Sequence, residues 1–338
     1  MAEANVPVSI KTITAGKLRR YAHMSRVRQL LTPSIVGRNI LDVFKISVGF
    51  MQSILLLRQV RPDVVFAKGG FVCLPLGAAA HVLRIPLVIH DSDIRAGLTN
   101  RVLARWATSI ATGFPIEYYS YNPHITQYVG VPIDSSFAPL KESAQHWAKQ
   151  FLGFDQDSPL IVVTGGGLGA KSINDAMASI SSDIIAKGWN VYHITGKDHY
   201  EAVRGQIEES AHYKLTPFVY KDMNIILGAA DVVVARGSAT FIQELSGLGK
   251  AAILIPARHL GDQLKNADMY QQADAAITLR DDEIRANPRV LLEQLSALLS
   301  DRKKRVRLAH NLHSFARPNA ARDVADMIER IFRKGHTV

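Results

Sequence analysis

The chain contains 338 residues, of which 47% are hydrophobic and 7% aromatic, and its formal net charge is +10. This length allows two domains of ordinary size, each with its own core, and the composition suits an α/β protein built on aliphatic side chains. Cys73 is the single cysteine, which excludes an internal disulfide and a cysteine-based metal site and suits a reducing compartment.

The positive charge is concentrated at the start of the chain. Through residue 61 there are ten Lys or Arg against two acidic residues, a balance of +8, and a strongly apolar stretch at 44–57 lies among them. Basic residues around an apolar surface favour an anionic membrane surface as partner. Nucleic acid is disfavoured because the aromatic residues there form no stacking platform. A solvated basic face beside a core helix is the alternative.

The sequence indicates a soluble or peripheral chain. No segment resembles a signal peptide. The region 71–89, taken as the most apolar, is interrupted by two prolines, a histidine and an arginine, which makes it a poor transmembrane helix.

The first half alternates predicted strands and helices. Its elements are, in order, a strand at 8–14, a basic loop at 16–20, a helix at 36–58, and strands at 62–67 and 86–90. A glycine turn at 68–71 follows one strand, and a loop at 91–100, rich in polar side chains, follows the next. This alternation with short connections predicts a parallel sheet flanked by helices.

A polar helix and loop at 139–157 mark the link to a second domain. The strand at 160–164 runs into a glycine loop at 165–170 and then a helix, which predicts a second open α/β unit. The loop lacks the Gly-Lys-Ser/Thr ending of a P-loop, and helix-on-strand packing is its alternative role. We predict a first domain at 1–138, a second at 139–316, and a last helix within 317–338 that packs back on the first.

The stretch from Asp231 to Asn266 carries the strongest functional signal. A buried strand at 232–235 is followed by a turn of small residues at Gly237 and Ser238, and then by a helix from Ala239. Unpaired amides and the positive end of the helix dipole therefore meet at the carboxyl edge of a sheet, which predicts an anion pocket.

Further polar side chains suit a nucleotide sugar at this pocket. Glu244 lies where an acceptor-only side chain would bind the hydroxyls of a ribose whose diphosphate rests on the helix start. Gln263 and Asn266 follow as hydrogen-bonding groups for a polyhydroxylated ligand. The alternatives are a solvated helix acid at Glu244 and a metal site at Asp91 and Asp93, which lack a third ligand.

A combination of motifs is more specific than any of these signals alone. The motifs are Gly69-Gly70-Phe71, His90-Asp91-Ser92-Asp93 with Ala96–Asn100, Gly165–Gly167 with Gly169-Ala170, Asp222-Met223, Arg236–Ala239 with Glu244, and Asp262-Gln263 with Asn266-Ala267. Their order and spacing resemble the MurG family, the undecaprenyldiphospho-muramoylpentapeptide β-N-acetylglucosaminyltransferases of bacterial peptidoglycan synthesis. The resemblance covers roughly residue 8 to the C-terminus. It implies an α/β fold of the GT-B type, two Rossmann-like domains with parallel sheets facing across a cleft.

The resemblance also implies substrates and site residues. UDP-N-acetylglucosamine would be bound mainly by the second domain, and a lipid-linked muramyl-pentapeptide acceptor by a first domain that faces the cytoplasmic side of the cell membrane. The family's contacts fall on Asp93, Gly167, Tyr220, Ala239, Thr240, Phe241, Ile242, Gln243, Glu244 and Gln263. No cofactor is implied, and helix starts that stabilise the leaving diphosphate need no metal.

The chain departs from the family pattern at several positions. Gly167 replaces the usual serine, and Asp134 stands where the family has an arginine, so that Arg236 or Lys171 would have to supply a cation near the diphosphate. The family's first strand and its Gly-Gly-Thr-Gly-Gly-His loop, whose histidine is the proposed base, would precede Met1. We therefore expect a segment upstream of this chain, and weak donor binding and transfer without it. His90 is the local candidate for the base, although ordering the 91–100 loop is its more ordinary role.

Two rival functions stay open at this point. The first is another UDP-sugar enzyme of the same architecture. A glycolipid glycosyltransferase would be distinguished by its acceptor, and a 2-epimerase by needing no acceptor. A non-catalytic nucleotide-sugar-binding partner at the membrane is the more distant alternative.

Overall fold

The computed structural model describes residues 8–17, 32–207 and 210–335. Its first part contains a four-stranded parallel sheet in the order β1-β2-β3-β4. The elements of this part are α1 (Pro33–Val60), β1 (Val65–Ala67), α2 (Cys73–Val82), β2 (Leu87–Asp91), α3 (Leu98–Leu103), β3 (Ser109–Thr112) and β4 (Thr126–Tyr128). The predicted alternation of strands and helices is confirmed here, and β1 and β2 both point their carboxyl ends at one edge of the sheet.

The second part contains a six-stranded parallel sheet. Its elements are α4 (Glu142–Phe151), β5 (Leu160–Thr164), α5 (Lys171–Ala186), β6 (Asn190–Ile194), α6 (Tyr200–Arg204), β7 (Tyr213–Thr216), α7 (Met223–Ala229), β8 (Val232–Ala235), α8 (Ala239–Leu248), β9 (Ala251–Leu254), α9 (Gly261–Gln272), β10 (Ile277–Thr278), α10 (Asp281–Ala286), α11 (Arg289–Ser300), α12 (Arg302–His313) and α13 (Ala320–Gly335). The strand order is β10-β9-β8-β5-β6-β7.

The central strands of this sheet are buried on both faces. In β8, Val233 packs into the core beneath α8, whereas Val232 and Val234 pack into the core beneath α5 and α11. Successive side chains of a strand point to opposite faces, so a parallel strand covered by helices on both sides must be apolar throughout. This requirement explains the uninterrupted aliphatic sequences of β5 and β8.

Between β5 and β8, the order in which the chain adds strands to the parallel sheet reverses. From β5 the chain proceeds outward through β6 and β7, and it then returns to the other side of β5 with β8. Thr164 and Ala235, the last residues of the two strands, are paired in register. The loops that follow them are therefore neighbours, and such a crevice is where open α/β sheets bind ligands.

One prediction about the start of the chain needs correction. Residues 8–14 form no strand: they run beside α1, where the Thr14 amide donates to Gln52 Oε1 and the backbone approaches Gly49 closely. An extended segment without a ladder partner satisfies its amides on side chains instead. In the predicted basic loop, residues 18–20 lie outside the described residues. Outside the region 71–89, the segment Asn39–Val60 of α1 contains an 18-residue window with a mean hydropathy of 1.8, which is long and apolar enough to cross a membrane by length and composition alone.

The last helix, α13, packs on the first sheet. Val324 and Met327 contact Ala111 and Val129 in a small buried cluster, and Arg330 donates to Gln127 of β4. The chain thus returns to its first sheet after completing the second one. The domain boundaries at 138, 139 and 316–317 stay a prediction.

Candidate active site

The first turn of α8 presents backbone amides at the crevice between β5 and β8. Ser238 is the N-cap residue in an extended conformation, and its hydroxyl accepts from the Phe241 amide at 3.3 Å. The other amides of a first helical turn have no intrahelical acceptor, and the helix dipole adds partial positive charge there. The arrangement is chemically suited to an anion such as a diphosphate.

Gly237 allows this turn to lie directly against α9. A Cβ at this position would be 2.7 Å from the carbonyl oxygen of Gln263, which is closer than a carbon and an oxygen can approach. The Asn266 side chain also donates to the Gly237 carbonyl at 3.3 Å. The glycine therefore fixes the distance between the start of α8 and the start of α9.

Glu244 lies one turn beyond Thr240 on α8 and is half-buried. Burial raises the pKa of its carboxyl from the ordinary 4.5 to about 7, because the charged form loses solvation. Among the described residues no hydrogen bond or ion pair to its carboxylate is found. A partly desolvated acceptor without a protein partner is what a ligand with hydroxyl donors would satisfy.

The glycine loop after β5 forms the other wall of the crevice. Gly166 and Gly169 have positive φ values of 80° and 75°. Gly169 lies against Gly196, which follows β6, so closely that a Cβ on Gly169 would be 2.1 Å from the Thr195 carbonyl oxygen. The Gly166 amide donates to Thr164 Oγ1 and the Gly169 amide to the Gly166 carbonyl, so an anionic ligand would have to be bound by other amides of the loop.

An aromatic and cationic cluster, formed by Lys197, Phe218 and Tyr220, lies beside the glycine loop. The Lys197 ammonium is 5.0 Å from the ring centroid of Phe218 and 4.8 Å from that of Tyr220, and it donates to the Tyr220 hydroxyl. A Cβ on Gly167 would be 3.7 Å from the Phe218 ring. Of this cluster only Tyr220 was predicted from the sequence. Lys197 could have been found as a cation that closely follows the apolar sequence of β6, whereas Phe218 carries no such signal.

The two cations expected to replace the family's arginine are already engaged. Arg236 donates to Ile255 O at 3.0 Å, to Asp281 Oδ1 at 2.7 Å and to Ser172 Oγ at 3.0 Å. Lys171 forms an exposed ion pair with Asp175 at 2.7 Å. Arg236 therefore ties the ends of β8 and β9 to the start of α5, and the expectation that it or Lys171 supplies a free charge is not supported. Asp134, at the family's arginine position, accepts from the Ser136 amide at 2.8 Å.

Asp93 and Asn266 join the two parts of the chain, whereas Gln263 bonds within the second part. Asn266 is fully buried, accepts from the Ile94 amide at 3.0 Å and donates to Asp93 Oδ1 at 2.9 Å. Its predicted contact with a ligand is not supported, because its amide is already bonded to Ile94 and Asp93 of the first domain and to the Gly237 carbonyl of its own domain. Gln263 is half-buried and accepts from the Ala257 amide at 3.1 Å; this bond occupies Oε1 and not its amino group.

The other residues predicted on α8 divide between cleft and core. Thr240 is exposed and Phe241 half-buried, whereas Ala239 and Ile242 are buried in the core. Gln243 is buried too and donates to the Phe315 carbonyl at 3.2 Å. Ile242 and Gln243 therefore face the interior, and among these residues Thr240 and Glu244 are the side chains that the helix turns outward toward a ligand.

His90 does not reach the cleft. Its side chain is fully buried, Nε2 lies 2.9 Å from the Gly130 carbonyl oxygen, and Nδ1 lies 3.2 Å from the Ser92 hydroxyl. Burial lowers the pKa of this imidazole from 6.5 to about 4. The structure does not support His90 as the base, and its bonds order the loop after β2 instead.

A cavity of about 560 Å³ lies in the first domain at the carboxyl ends of β1 and β2. Its lining includes Lys68, the Gly69–Gly70 turn, Asp91, Asp93 and Asn100. Burial raises the pKa of Asp91 to about 6, although the Tyr121 hydroxyl at 2.7 Å and the Gly97 amide at 3.2 Å both donate to its Oδ2. No group of three His, Cys, Asp or Glu arranged to hold a metal occurs in the described part of the chain.

Comparison with known proteins gives two matching domain families. The glycosyltransferase family 28 C-terminal domain matches residues 160–328, and the family 28 N-terminal domain matches residues 2–112. The chain is 33% identical to a Staphylococcus carnosus protein over 320 residues, which is 93% of this chain and 81% of the relative. It is 30% identical to a Clostridium kluyveri protein over 96% of this chain and 86% of the relative. Both relatives are named UDP-N-acetylglucosamine--N-acetylmuramyl-(pentapeptide) pyrophosphoryl-undecaprenol N-acetylglucosamine transferase.

A solved structure gives the same result for the fold. The crystal structure of Acinetobacter baumannii MurG superposes with a TM-score of 0.70 at 26% identity, covering 86% of this chain and 79% of that one. Together with the sequence matches, this likeness confirms the predicted resemblance to the MurG family and the predicted GT-B architecture.

Proposed function

The chain belongs to glycosyltransferase family 28, and from this premise we propose that it transfers N-acetylglucosamine from UDP-N-acetylglucosamine to a lipid-linked acceptor. The acceptor we propose is the C4 hydroxyl of MurNAc-(pentapeptide)-pyrophosphoryl-undecaprenol. The reaction inverts the anomeric carbon and forms the disaccharide lipid used in peptidoglycan synthesis. The names of the relatives support this choice of donor and acceptor.

The main observation that supports binding of the UDP-sugar donor is the position of Glu244, which follows the first turn of α8. Its carboxylate is half-buried and without a described partner, and it lies one turn past Thr240 in the helix that Ser238 caps. A uridine diphosphate on these amides would bring its ribose hydroxyls to the carboxylate, while the glycine loop faces the diphosphate from β5. Phe218, half-buried beside Gly167, offers an apolar ring on which a flat base can lie.

The chemistry that this arrangement supports is departure of a diphosphate. As the bond between the anomeric carbon and the phosphate oxygen breaks, negative charge develops on the leaving group. Backbone amides fixed before the reaction stabilise that charge with little reorganisation. The cavity beside Asp91 lies in the other domain, and it would hold the acceptor sugar opposite the donor, as attack from the far side of the anomeric carbon requires.

We further propose that the protein acts at the cytoplasmic face of the membrane, with α1 lying in the interface. Ile54 and Leu57 of this helix are buried in the first core, and Gly49 is in contact range of Pro75 on α2. The opposite face exposes Phe44 (67%) and Leu55 (66%), with Ile40 and Met51 along the same side. Crossing a bilayer would detach the packed face from α2, whereas lying on it buries only the exposed apolar face.

Transfer of labelled N-acetylglucosamine to a purified acceptor tests the function. The proposal expects label from UDP-N-acetylglucosamine in the muramyl-pentapeptide lipid and none in diacylglycerol. Equal labelling of diacylglycerol would indicate a glycolipid glycosyltransferase. Release of UDP and 2-epimerised sugar without any acceptor would indicate an epimerase. Donor binding without turnover would favour a non-catalytic binding partner; each of these three results contradicts the proposal.

A further inference from the structure

Asp91 is a buried carboxylate placed at the edge of the cavity in the first domain. It ends β2, where a parallel sheet presents side chains to ligands, and it is 5% exposed. The Tyr121 hydroxyl and the Gly97 amide both donate to the same oxygen, Oδ2, at 2.7 Å and 3.2 Å. Two donors on one oxygen fix the orientation of the carboxylate.

The neighbouring titratable groups are differently engaged. Asp93 also lines the cavity, but its carboxylate accepts from Asn266 across the domain junction. His90 is fully buried, and its two ring nitrogens lie against the Ser92 hydroxyl and the Gly130 carbonyl oxygen. Glu244 is placed on the donor side. Among the described residues, Asp91 is therefore the carboxylate at this cavity that is not used to hold the two domains together.

We propose that Asp91 is the general base of the transfer. The inference rests on the proposed function, since it needs an acceptor hydroxyl in the cavity. The acceptor O–H proton moves to the Asp91 carboxylate as the oxygen forms a bond to the anomeric carbon. The bond from that carbon to the phosphate oxygen breaks at the same time, and UDP departs with the electron pair. The protonated Asp91 then returns its proton to solvent.

The electrostatic surroundings of Asp91 suit this role. Burial is the largest influence and raises the pKa of its carboxyl to about 6, and the charge of Asp93 acts in the same direction, while the bonds from Tyr121, Asn100 and Gly97 oppose it. A base with a pKa near the working pH is ionised there and still accepts a proton effectively. The charged or titratable groups around it are Asp93, His90, Tyr119, Tyr121, Lys68 and Lys17.

Single-turnover transfer with enzyme in excess tests the proposal, because it reports the chemical step and not product release. Asp91→Asn should slow transfer on the order of 10²-fold to 10⁴-fold, while its affinity for UDP-N-acetylglucosamine stays within about twofold of wild type. Glu117→Gln, an exposed acid of the same domain, serves as control and should change neither quantity.

The Tyr121→Phe variant separates a catalytic role from a structural one. Removing the hydroxyl removes a donor that stabilises the charged carboxylate, so the pKa of Asp91 rises. The acidic limb of the pH–rate profile should therefore move to higher pH, which loss of packing alone would not cause. This readout decides the question even where Asp91→Asn folds poorly.

Two results would overturn the proposal: wild-type transfer by Asp91→Asn, or an unmoved acidic limb in Tyr121→Phe. Either result leaves the proposed function intact. Absence of lipid-linked product with the wild-type protein would instead contradict the proposed function itself, so the two failures are distinguishable.

Discussion

Replacing Glu244 with glutamine should make the ligand-free protein more stable while it weakens donor binding. The glutamine side chain has nearly the same shape as the protonated glutamic acid and carries no charge. The wild-type carboxyl is half-buried, has no described partner and has a pKa raised by burial to about 7. An unpaired charge in this partly buried position, kept there for a ligand, lowers the stability of the ligand-free protein.

The magnitude follows from the size of the pKa change. The pKa of Glu244 rises from 4.5 to about 7, and one unit corresponds to about 1.4 kcal/mol between the two protonation states. The pKa of the Glu244 carboxyl is higher in the folded protein than in the unfolded chain. The folded protein therefore keeps its full stability at pH values below the unfolded pKa, and it loses part of that stability as pH rises through the folded pKa. The upper figure for Glu244→Gln is therefore about 3 kcal/mol of added stability at pH 8, but under about 1 kcal/mol at pH 5.

Urea unfolding at the two pH values measures this difference directly. Glu293→Gln, an exposed glutamate on α11, is the matched control and should be neutral at both. Thermal melts should agree, with a rise of up to roughly 6–12 °C at pH 8 for a domain of this size. A Glu244→Gln variant that is no more stable than wild type at pH 8 would refute the reasoning.

Four further predictions address the donor site and the membrane. UDP affinity should rise as pH increases from 5 through about 7, since the ribose binds the ionised Glu244; calorimetry showing a flat or falling profile would contradict this. Lys197→Met should weaken UDP binding by about twofold to fivefold, in the range of an exposed charge, and unchanged affinity would argue that the ammonium serves only the aromatic rings. Gly237→Ala should lower stability by about 1–3 kcal/mol and weaken UDP binding because its Cβ meets α9, whereas Gly261→Ala, with no atom within 4 Å, should do neither. Joint replacement of Phe44 and Leu55 by serine should reduce sedimentation with phosphatidylglycerol vesicles more than tenfold, and an equal loss for the exposed Val306→Ser would refute a specific membrane face.

Much of the second domain was predictable because its sheet is parallel and covered on both sides. β5 and β8 have the predicted bounds, 160–164 and 232–235, since such strands must be apolar at every position. The turn at Gly237 and the helix from Ala239 to Leu248 were also predicted, because small residues after a buried strand followed by helical spacing have few other solutions.

Other features depend on contacts that no local pattern encodes. Asn266 has the sequence signature of a ligand residue, yet its amide is bonded to Ile94 and Asp93 across the domain junction and to the Gly237 carbonyl. The cluster around Lys197 joins residues from two separate loops, after β6 and after β7, beside the glycine loop whose Gly169 packs on Gly196. The segment at 8–14 has strand-forming residues, but a strand also needs a partner, and α1 occupies that place.

The contact between Glu244 and a bound ribose tests the central claim most directly. A crystal structure with UDP-N-acetylglucosamine should place at least one ribose hydroxyl about 2.7 Å from the Glu244 carboxylate, with the diphosphate on the amides that follow Gly237. A Glu244 side chain turned away from the nucleotide, or a nucleotide bound outside the crevice between β5 and β8, would contradict the account.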